Sequence, residues 1–296
     1  MSLRLGTRRS PLALAQATWV AERLRTRGVE VELVGITTSG DRHTAVTGPA
    51  GLKGMFVAEI VRALQAGEID LAVHSAKDLP AEDEPALVLA AVPERESPLD
   101  VLVTREGELR PGAVVGTSSL RRQAQILRHR PDVTLKDLRG NVDTRLRRLE
   151  EGEVDAVVLA AAGLVRLGVV PEHAEPMSPA EMLPAPGQGA LAVQTRADDG
   201  PTLAALAGLE HEPTRRAVTA ERAIVRRLGG GCALPLGAYA EASGGSVRLT
   251  AAVFTPDGAQ EARASAEGVD PEEVAAAVEA DLRAAGAERI LRAARP

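Results

Sequence analysis

Apolar positions along this chain recur with two periods, and the switches between them mark out its elements. Leu3 to Gly6 predicts a short strand. Ser10 then stands as an N-cap with Pro11 at the first helical position, and Leu12, Ala15, Trp19 and Leu24 fall near helical spacing until Gly28. Val29, Val31 and Leu33 alternate with Glu30 and Glu32, predicting a strand that reaches Ile36. Met55 to Ala66 predicts a helix stopped by Gly67. Ile69 to His74 is a continuous apolar run rich in β-branched residues, the pattern of a buried parallel strand.

A second set of the same kind begins after Pro98. Strands are predicted at Ala113–Val115, Val133–Leu138 and Val154–Leu159, with helices at Leu120–His129 and Val142–Glu151 between them. Strands alternating with helices of this length make βαβ units, so two α/β domains are expected. Leu191 to Thr195 is strand-like again after the Pro- and Gly-rich stretch Pro184–Gly189, and is expected to return to the first domain. Two crossings, at Pro93–Pro98 and Pro184–Gly189, would form a two-strand hinge. From about Glu212 the pattern changes: a helix over Arg215–Leu228, then strands at Gly237–Ala242, Val247–Phe254 and Ala259–Ala266 joined by Gly244-Gly245 and Pro256-Asp257-Gly258. Turns that short make the three strands antiparallel. Asp270 and Pro271 open a last helix, completing a small α+β domain. The expected domains are therefore 1–93 with 190–207, 98–183, and 212–296.

Composition narrows the chemistry. The 296 residues are 45% apolar but only 1% aromatic, so the cores must be built from Ala, Val and Leu. No run approaches the roughly 18 apolar residues of a membrane helix; the most apolar stretch, Ala156 to Val165, contains Gly163 and is closed by Arg166. The opening MSLRLGTRRS carries charges where a signal peptide has its apolar core, and there is one cysteine, so a reducing cytoplasm is expected. A net charge of -6 argues against a generic nucleic-acid binder. Among 35 basic residues only Lys53, Lys77 and Lys136 are lysines. Arginine is the residue suited to bidentate recognition of carboxylate or phosphate.

The placement of those arginines points to a ligand. Three strand-to-helix turns combine them with hydroxyl or amide side chains: Thr7-Arg8-Arg9-Ser10, Thr117-Ser118-Ser119-Leu120-Arg121-Arg122, and Arg139-Gly140-Asn141-Val142-Asp143-Thr144-Arg145. Each brings helix N-terminal N–H groups to the carboxyl edge of a parallel sheet, where open α/β sheets bind ligands. One such turn is an ordinary cap; three suggest a ligand with several anionic groups. The chain has neither a G-x-x-x-x-G-K-[ST] loop nor a G-x-G-x-x-G fingerprint, which disfavours nucleotides. His43, His74, His129, His173 and His211 are scattered, and no metal is expected. Lys77 and Asp78 leave the first domain's buried strand at the same edge; Asp78 reads either as a carboxylate for a ligand N–H or as a turn residue before Pro80. The lone Cys232 lies in Gly229-Gly230-Gly231-Cys232-Ala233-Leu234-Pro235, either a helix C-cap followed by a thiol or a thiol kept accessible to something bulky. A non-catalytic polycarboxylate-binding protein and a thiol redox protein compete with an enzyme, the latter lacking C-x-x-C.

The segments TRRSPLALAQ, LKGMFVAEI, AVHSAKDLP, GTSSLRRQ, LRGNVDTRL, PAPGQGAL, TAERA and GGGCALPLG, in this order over residues 7 to 237, resemble the porphobilinogen deaminase (hydroxymethylbilane synthase) family. The resemblance implies three domains, the first two like a periplasmic-binding-protein fold. It implies a dipyrromethane cofactor held by a thioether to Cys232, on which porphobilinogen units are joined head to tail into a growing polypyrrole. Carried over to matching positions, Asp78 would be the catalytic carboxylate at the pyrrole nitrogens, favouring the cationic azafulvene left by loss of ammonia. Lys77, Thr117, Ser119, Arg121 and Arg122 would hold cofactor carboxylates; Arg8, Ser10, Arg139 and Arg145 those of substrate and growing chain. Gln188 would line the hinge side, and Lys53 and Phe56 would belong to a mobile loop over the cleft. Arg9, Ala233 and the loop His43–Gly51 depart from the family pattern. The expected partners are small molecules alone, with no nucleic acid or membrane, and the expected state is a monomer.

Overall fold

The computed structural model describes residues 2–38, 52–82, 84–229 and 234–294. The chain starts in a first lobe with β1 (Ser2–Arg8), α1 (Pro11–Arg25), β2 (Glu30–Ile36), α2 (Leu52–Gln65), β3 (Leu71–Ser75) and β4 (Leu87–Ala91). It crosses to a second lobe of β5 (Asp100–Thr104), β6 (Val114–Gly116), α3 (Leu120–His129), β7 (Thr134–Lys136), α4 (Val142–Glu150), β8 (Ala156–Ala160), α5 (Ala161–Leu167) and β9 (Ala174–Met177). It then returns through β10 (Leu191–Arg196) and α6 (Gly200–Leu206) to the first lobe. The last unit is α7 (Glu212–Arg227), β11 (Leu236–Ser243), β12 (Ser246–Phe254), β13 (Glu261–Gly268), α8 (Pro271–Ala284) and α9 (Ala287–Ala294).

The two lobes share one topology. Their five-stranded sheets run β2-β1-β3-β10-β4 and β7-β6-β8-β5-β9. In each, the strand handed over by the hinge sits fourth and is antiparallel to its neighbours: β10 against β3 and β4, β5 against β8 and β9. The sheets are therefore mixed, where the alternation of strands and helices predicted parallel ones. The fold is α/β, two lobes of one strand order joined by two chain crossings, with a three-stranded antiparallel sheet, β11-β12-β13, beyond them.

Aliphatic side chains build the cores. Ser10 caps α1, Pro11 presets its first turn, and the helix buries Ala17, Val20, Ala21 and Leu24 against Leu3, Leu5 and Val193. On the opposite face of that sheet, Val57, Ile60 and Leu64 of α2 pack with Ile69 and Ala72. In the third unit α7 buries Ala217, Ala220, Ala223 and Ile224 against β-strand residues Val247, Leu249 and Ala251. Helical alanines let helix and sheet approach closely without aromatic filler.

Several elements escape the sequence reading. β4, β5 and β9 are only four or five residues long, and the first two abut the hinge, where Pro and charges hide them. β9 contains Pro176, which lacks a ladder donor and is tolerated because β9 is an edge strand. α5 contains Gly163, a weak helix former, buried where the lobes touch: a Cβ there would lie 3.8 Å from Leu12 Cδ2 of α1.

The crossings and the third unit meet at one buried carboxylate. Glu221 of α7 takes Arg95 Nη1 at 2.7 Å and Nη2 at 3.1 Å, the N–H of Gly187 at 2.5 Å and that of Ala240 at 2.8 Å. Arg95 also donates to the carbonyl of Gln188 at 2.7 Å. Phe254, Ala252, Ala124 and Leu183 form a separate apolar patch between the third sheet and α3.

Candidate functional site

β3 is buried until Ser75 and ends in a single 3₁₀ turn, Ala76–Asp78, which Pro80 prevents from lengthening. Lys77 and Asp78 thus emerge half-buried at the sheet edge. Lys77 Nζ donates to Gln188 Oε1 at 3.3 Å, and Gln188, fully buried, donates from Nε2 to the Pro98 carbonyl at 2.7 Å. Gly187 makes this possible: it adopts φ +75°, and a Cβ would lie 2.9 Å from Lys77 N. Below the turn, His74 Nε2 and Gln194 Oε1 are buried without a hydrogen-bond partner among the described residues. Burial pushes the His74 pKa down to about 4, with Gln194 and Asp78 offsetting only part of it. Arg8 ends β1 at the same edge, and Ser10 Oγ accepts from Ala13 N at 3.4 Å.

Lobe 2 brings arginines to its corresponding edge. Thr117 Oγ1 accepts from Ser119 N at 3.2 Å and Ser119 Oγ from Arg122 N at 3.5 Å, so both hydroxyls shape the start of α3 while keeping their own O–H to donate. Arg121 and Arg122 are buried and converge on Asp100. Arg121 Nη1 donates to Asp100 Oδ2 and to the Leu183 carbonyl, both at 2.7 Å. Arg122 donates from Nε and Nη2 to Asp100 Oδ1 at 3.0 and 2.6 Å, and from Nη1 to the Val158 carbonyl at 2.7 Å. The two guanidiniums hold the Asp100 pKa well below the usual carboxylate range, outweighing its burial. In the turn before α4, Arg145 Nε donates to the Gly140 carbonyl at 2.9 Å and Arg139 Nε to Asp137 at 3.2 Å. Burial, helped by the like charge of Arg122, pushes the Arg145 pKa down to about 10.

Of the residues expected from sequence, the structure joins Lys77 to Gln188 and groups Arg121, Arg122 and Arg145. Cys232 lies outside the described residues, as do the side chains of Lys53 and Phe56 in α2. The sequence reading missed Asp100 and Arg166. Arg166 Nη2 donates to the Gly189 carbonyl at 2.7 Å, and burial pushes its pKa down to about 10 against the pull of Glu96. Each had a signal: Arg166 closes an apolar run, and Asp100 opens the strand DVLVT two residues after Pro98.

A family model described as "Porphobilinogen deaminase, dipyromethane cofactor binding domain" matches residues 3–204, and one for the C-terminal domain of the same enzyme matches residues 215–284. This chain belongs to the porphobilinogen deaminase family. Porphobilinogen deaminases of Brevibacillus brevis and Shouchella clausii are 48% and 50% identical to it, each alignment covering 97% of this chain and 96% and 95% of the relative. That of Geobacillus kaustophilus is 48% identical, over 97% of this chain and 96% of its own. Among solved structures, the Escherichia coli aliphatic sulphonate binding protein SsuA aligns over 76% of this chain and 70% of its own, at 16% identity and a TM-score of 0.40.

The family's cofactor is a dipyrromethane, whose rings bear acetate and propionate groups. The lobe 2 donors fit such a group. Among the described residues no hydrogen bond reaches Nε or Nη2 of Arg121, leaving an edge of the guanidinium that matches a carboxylate. The pKa values of Arg121, Arg145 and Arg166 all lie below normal, with burial the largest cause, and anions brought beside them would reverse that. Among the described residues no cluster of three or more His, Cys, Asp or Glu side chains is arranged for a metal.

Proposed function

We infer that the two lobes divide the work of a hydroxymethylbilane synthase: lobe 2 and its arginines grip carboxylates, and Asp78 of lobe 1 serves the reacting pyrrole. The activity comes with the family. The chain is a transferase that deaminates four porphobilinogen molecules, joins them head to tail and releases the linear tetrapyrrole. The bound dipyrromethane supplies the electron-rich carbon on which that chain grows. The protein's share is binding, orientation and charge.

Asp78 accepts pyrrole N–H groups and stabilises the positive charge that develops as ammonia leaves. Lys77, which donates to Gln188 at 3.3 Å, takes the cofactor's carboxylates together with Thr117, Ser119, Arg121 and Arg122. Arg8, Ser10, Arg139 and Arg145 take those of substrate and growing chain, and Lys53 and Phe56 are assigned a part in covering the cleft from the family resemblance alone. Cys232 anchors the cofactor through its sulfur. The proposed domains are 1–93 with 190–207, 98–183, and 212–296, supported by three separate sheets. A monomer in a reducing cytoplasm is the proposed setting; among the described residues no helix is long and apolar enough to cross a membrane.

One observation carries the division of labour. The Lys77–Asp78 turn is tied through Gln188 to Pro98, and two residues further on Asp100 holds the arginine pair. The carboxylate lobe and the cationic lobe therefore meet across a single hinge. Intact mass of the purified protein tests the reading. It is expected to exceed the sequence mass by a dipyrromethane located on Cys232, and Cys232→Ala is expected to lose attachment and activity together. Active protein of unmodified mass overturns it.

A further inference from the structure

Both arginines at the start of α3 answer to one carboxylate. Asp100 is fully buried at the first residue of β5. Its Oδ1 takes the Nε–Nη2 side of Arg122, and its Oδ2 takes Nη1 of Arg121. A guanidinium has five N–H donors in a rigid plane, so a partner on one edge dictates which edge remains. For Arg122 the side edge is spent on Asp100, and Nη1 is engaged by the Val158 carbonyl at 2.7 Å. For Arg121 both Nη1 donations are spent, on Asp100 and on the Leu183 carbonyl. Nε and Nη2 of Arg121, the pair that forms a bidentate fork, have no hydrogen bond among the described residues. The two neighbours are thus unequal: Arg121 offers a fork, and Arg122 offers single N–H groups.

We propose that Asp100 is a positioning residue for the reaction: it fixes the fork of Arg121 toward ligand carboxylates and lets two guanidiniums stand side by side with one of their two charges neutralised. The charge matters as much as the geometry. Burial and Arg122 both disfavour the Arg121 cation, and Asp100 is the group that opposes them. A second carboxylate at this point would cancel the remaining charge and compete with the ligand; none would leave two buried cations repelling each other. Asp100 also stands two residues beyond Pro98, whose carbonyl receives Gln188 Nε2 at 2.7 Å, so the arginine pair is referenced to the hinge rather than to its own helix alone. This inference rests on the reading of Arg121 and Arg122 as carboxylate holders.

The test uses full-length Asp100→Glu and Asp100→Asn beside Arg121→Leu and Arg122→Leu. Intact mass gives the loaded fraction, thermal melting the fold, and KM and kcat are taken on loaded protein. Asp100→Glu keeps the charge but moves the carboxylate by one methylene. It is expected to melt near the wild-type temperature while its loaded fraction falls, or its KM rises, by about tenfold or more, the weight of one charge-assisted hydrogen bond. Its kcat is expected to change far less, because Asp78 lies on the other lobe. Asp100→Asn is expected to lose more loading; if it fails to fold, the Glu variant decides. A folded Asp100→Glu with wild-type loading and KM overturns the proposal, leaving Asp100 as a structural counter-ion. Fully loaded, fully active Arg121→Leu and Arg122→Leu would instead sink the carboxylate reading itself.

Discussion

Lobe 1 and lobe 2 have the same strand order but hold different numbers of cations at the strand each receives from the hinge. In both, the hinge hands over an antiparallel strand in fourth place. Near the start of that strand lobe 1 has Gln188, a neutral side chain that accepts from one cation, Lys77. Lobe 2 has Asp100, an anion that holds two, Arg121 and Arg122. Topology supplies equivalent positions, and the charge of the side chain placed there sets how many cations it can hold. A carboxylate ligand and a developing cation can then be served by two copies of one architecture.

The largest expected effect comes from cutting what both lobes share. Glu221→Ala strands Arg95 and two backbone N–H groups, and is expected to cost about 3–5 kcal/mol of stability, as breaking a buried ion pair does. Chemical denaturation measures it; a loss under about 1 kcal/mol would mean that the lobes are not held through this junction. Next, Asp78→Asn removes that carboxylate's charge and keeps its shape. Porphobilinogen consumption by cofactor-loaded protein is expected to fall about 10²–10³-fold, the usual loss for one well-placed electrostatic stabiliser. Asp78→Glu should fall less. A near wild-type rate in the loaded Asn variant would return Asp78 to a turn residue before Pro80.

Within lobe 2 the arginines are expected to separate. Arg121→Leu should lower cofactor loading, whereas Arg145→Leu should stay loaded and stall elongation, each contact contributing roughly 1.5–3 kcal/mol. Mass spectra of the loaded and elongated forms read both. Identical behaviour would erase the distinction between cofactor and chain subsites.

The smallest effect belongs to His74, under the Asp78 turn. Its folded pKa of about 4 lies below its ordinary value of 6.5, so in that window the unfolded chain binds the proton and the folded chain does not. Stability therefore falls as pH drops, by about 1 kcal/mol between pH 7 and pH 5.5. His74→Gln should remove that part of the slope in urea titrations at the two pH values. An unchanged slope would show that His74 does not titrate in this range.

Much of the site was legible because helix caps and turns announce themselves locally. Ser10, Pro11, Thr117 and Ser119 read as N-terminal punctuation and are that in the structure. The arginines of the turns were visible for the same reason. Their partners were not. Asp100 is 21 and 22 residues from Arg121 and Arg122, and Gln188 is 111 residues from Lys77. Nothing in the local pattern distinguishes an acid that opens a strand from one that faces solvent. The strand directions were likewise hidden, because β5 and β10 run backwards only by virtue of entering from the hinge.

By itself the sequence determined the periodic elements, the aliphatic cores, the three arginine-bearing turns and the motifs that mark the family, all properties of neighbouring residues and their spacing. The tertiary structure alone decided that both sheets are mixed, that Glu221 ties the two crossings to the third unit, and that Asp100 rather than solvent occupies the inner edges of Arg121 and Arg122. The strand directions follow from which strand each crossing delivers, and the two ion clusters share one physical reason. A buried charge is stable only beside its counter-charge, and that partner arrives from a distant stretch of chain whose position is fixed only when the lobes close on the hinge.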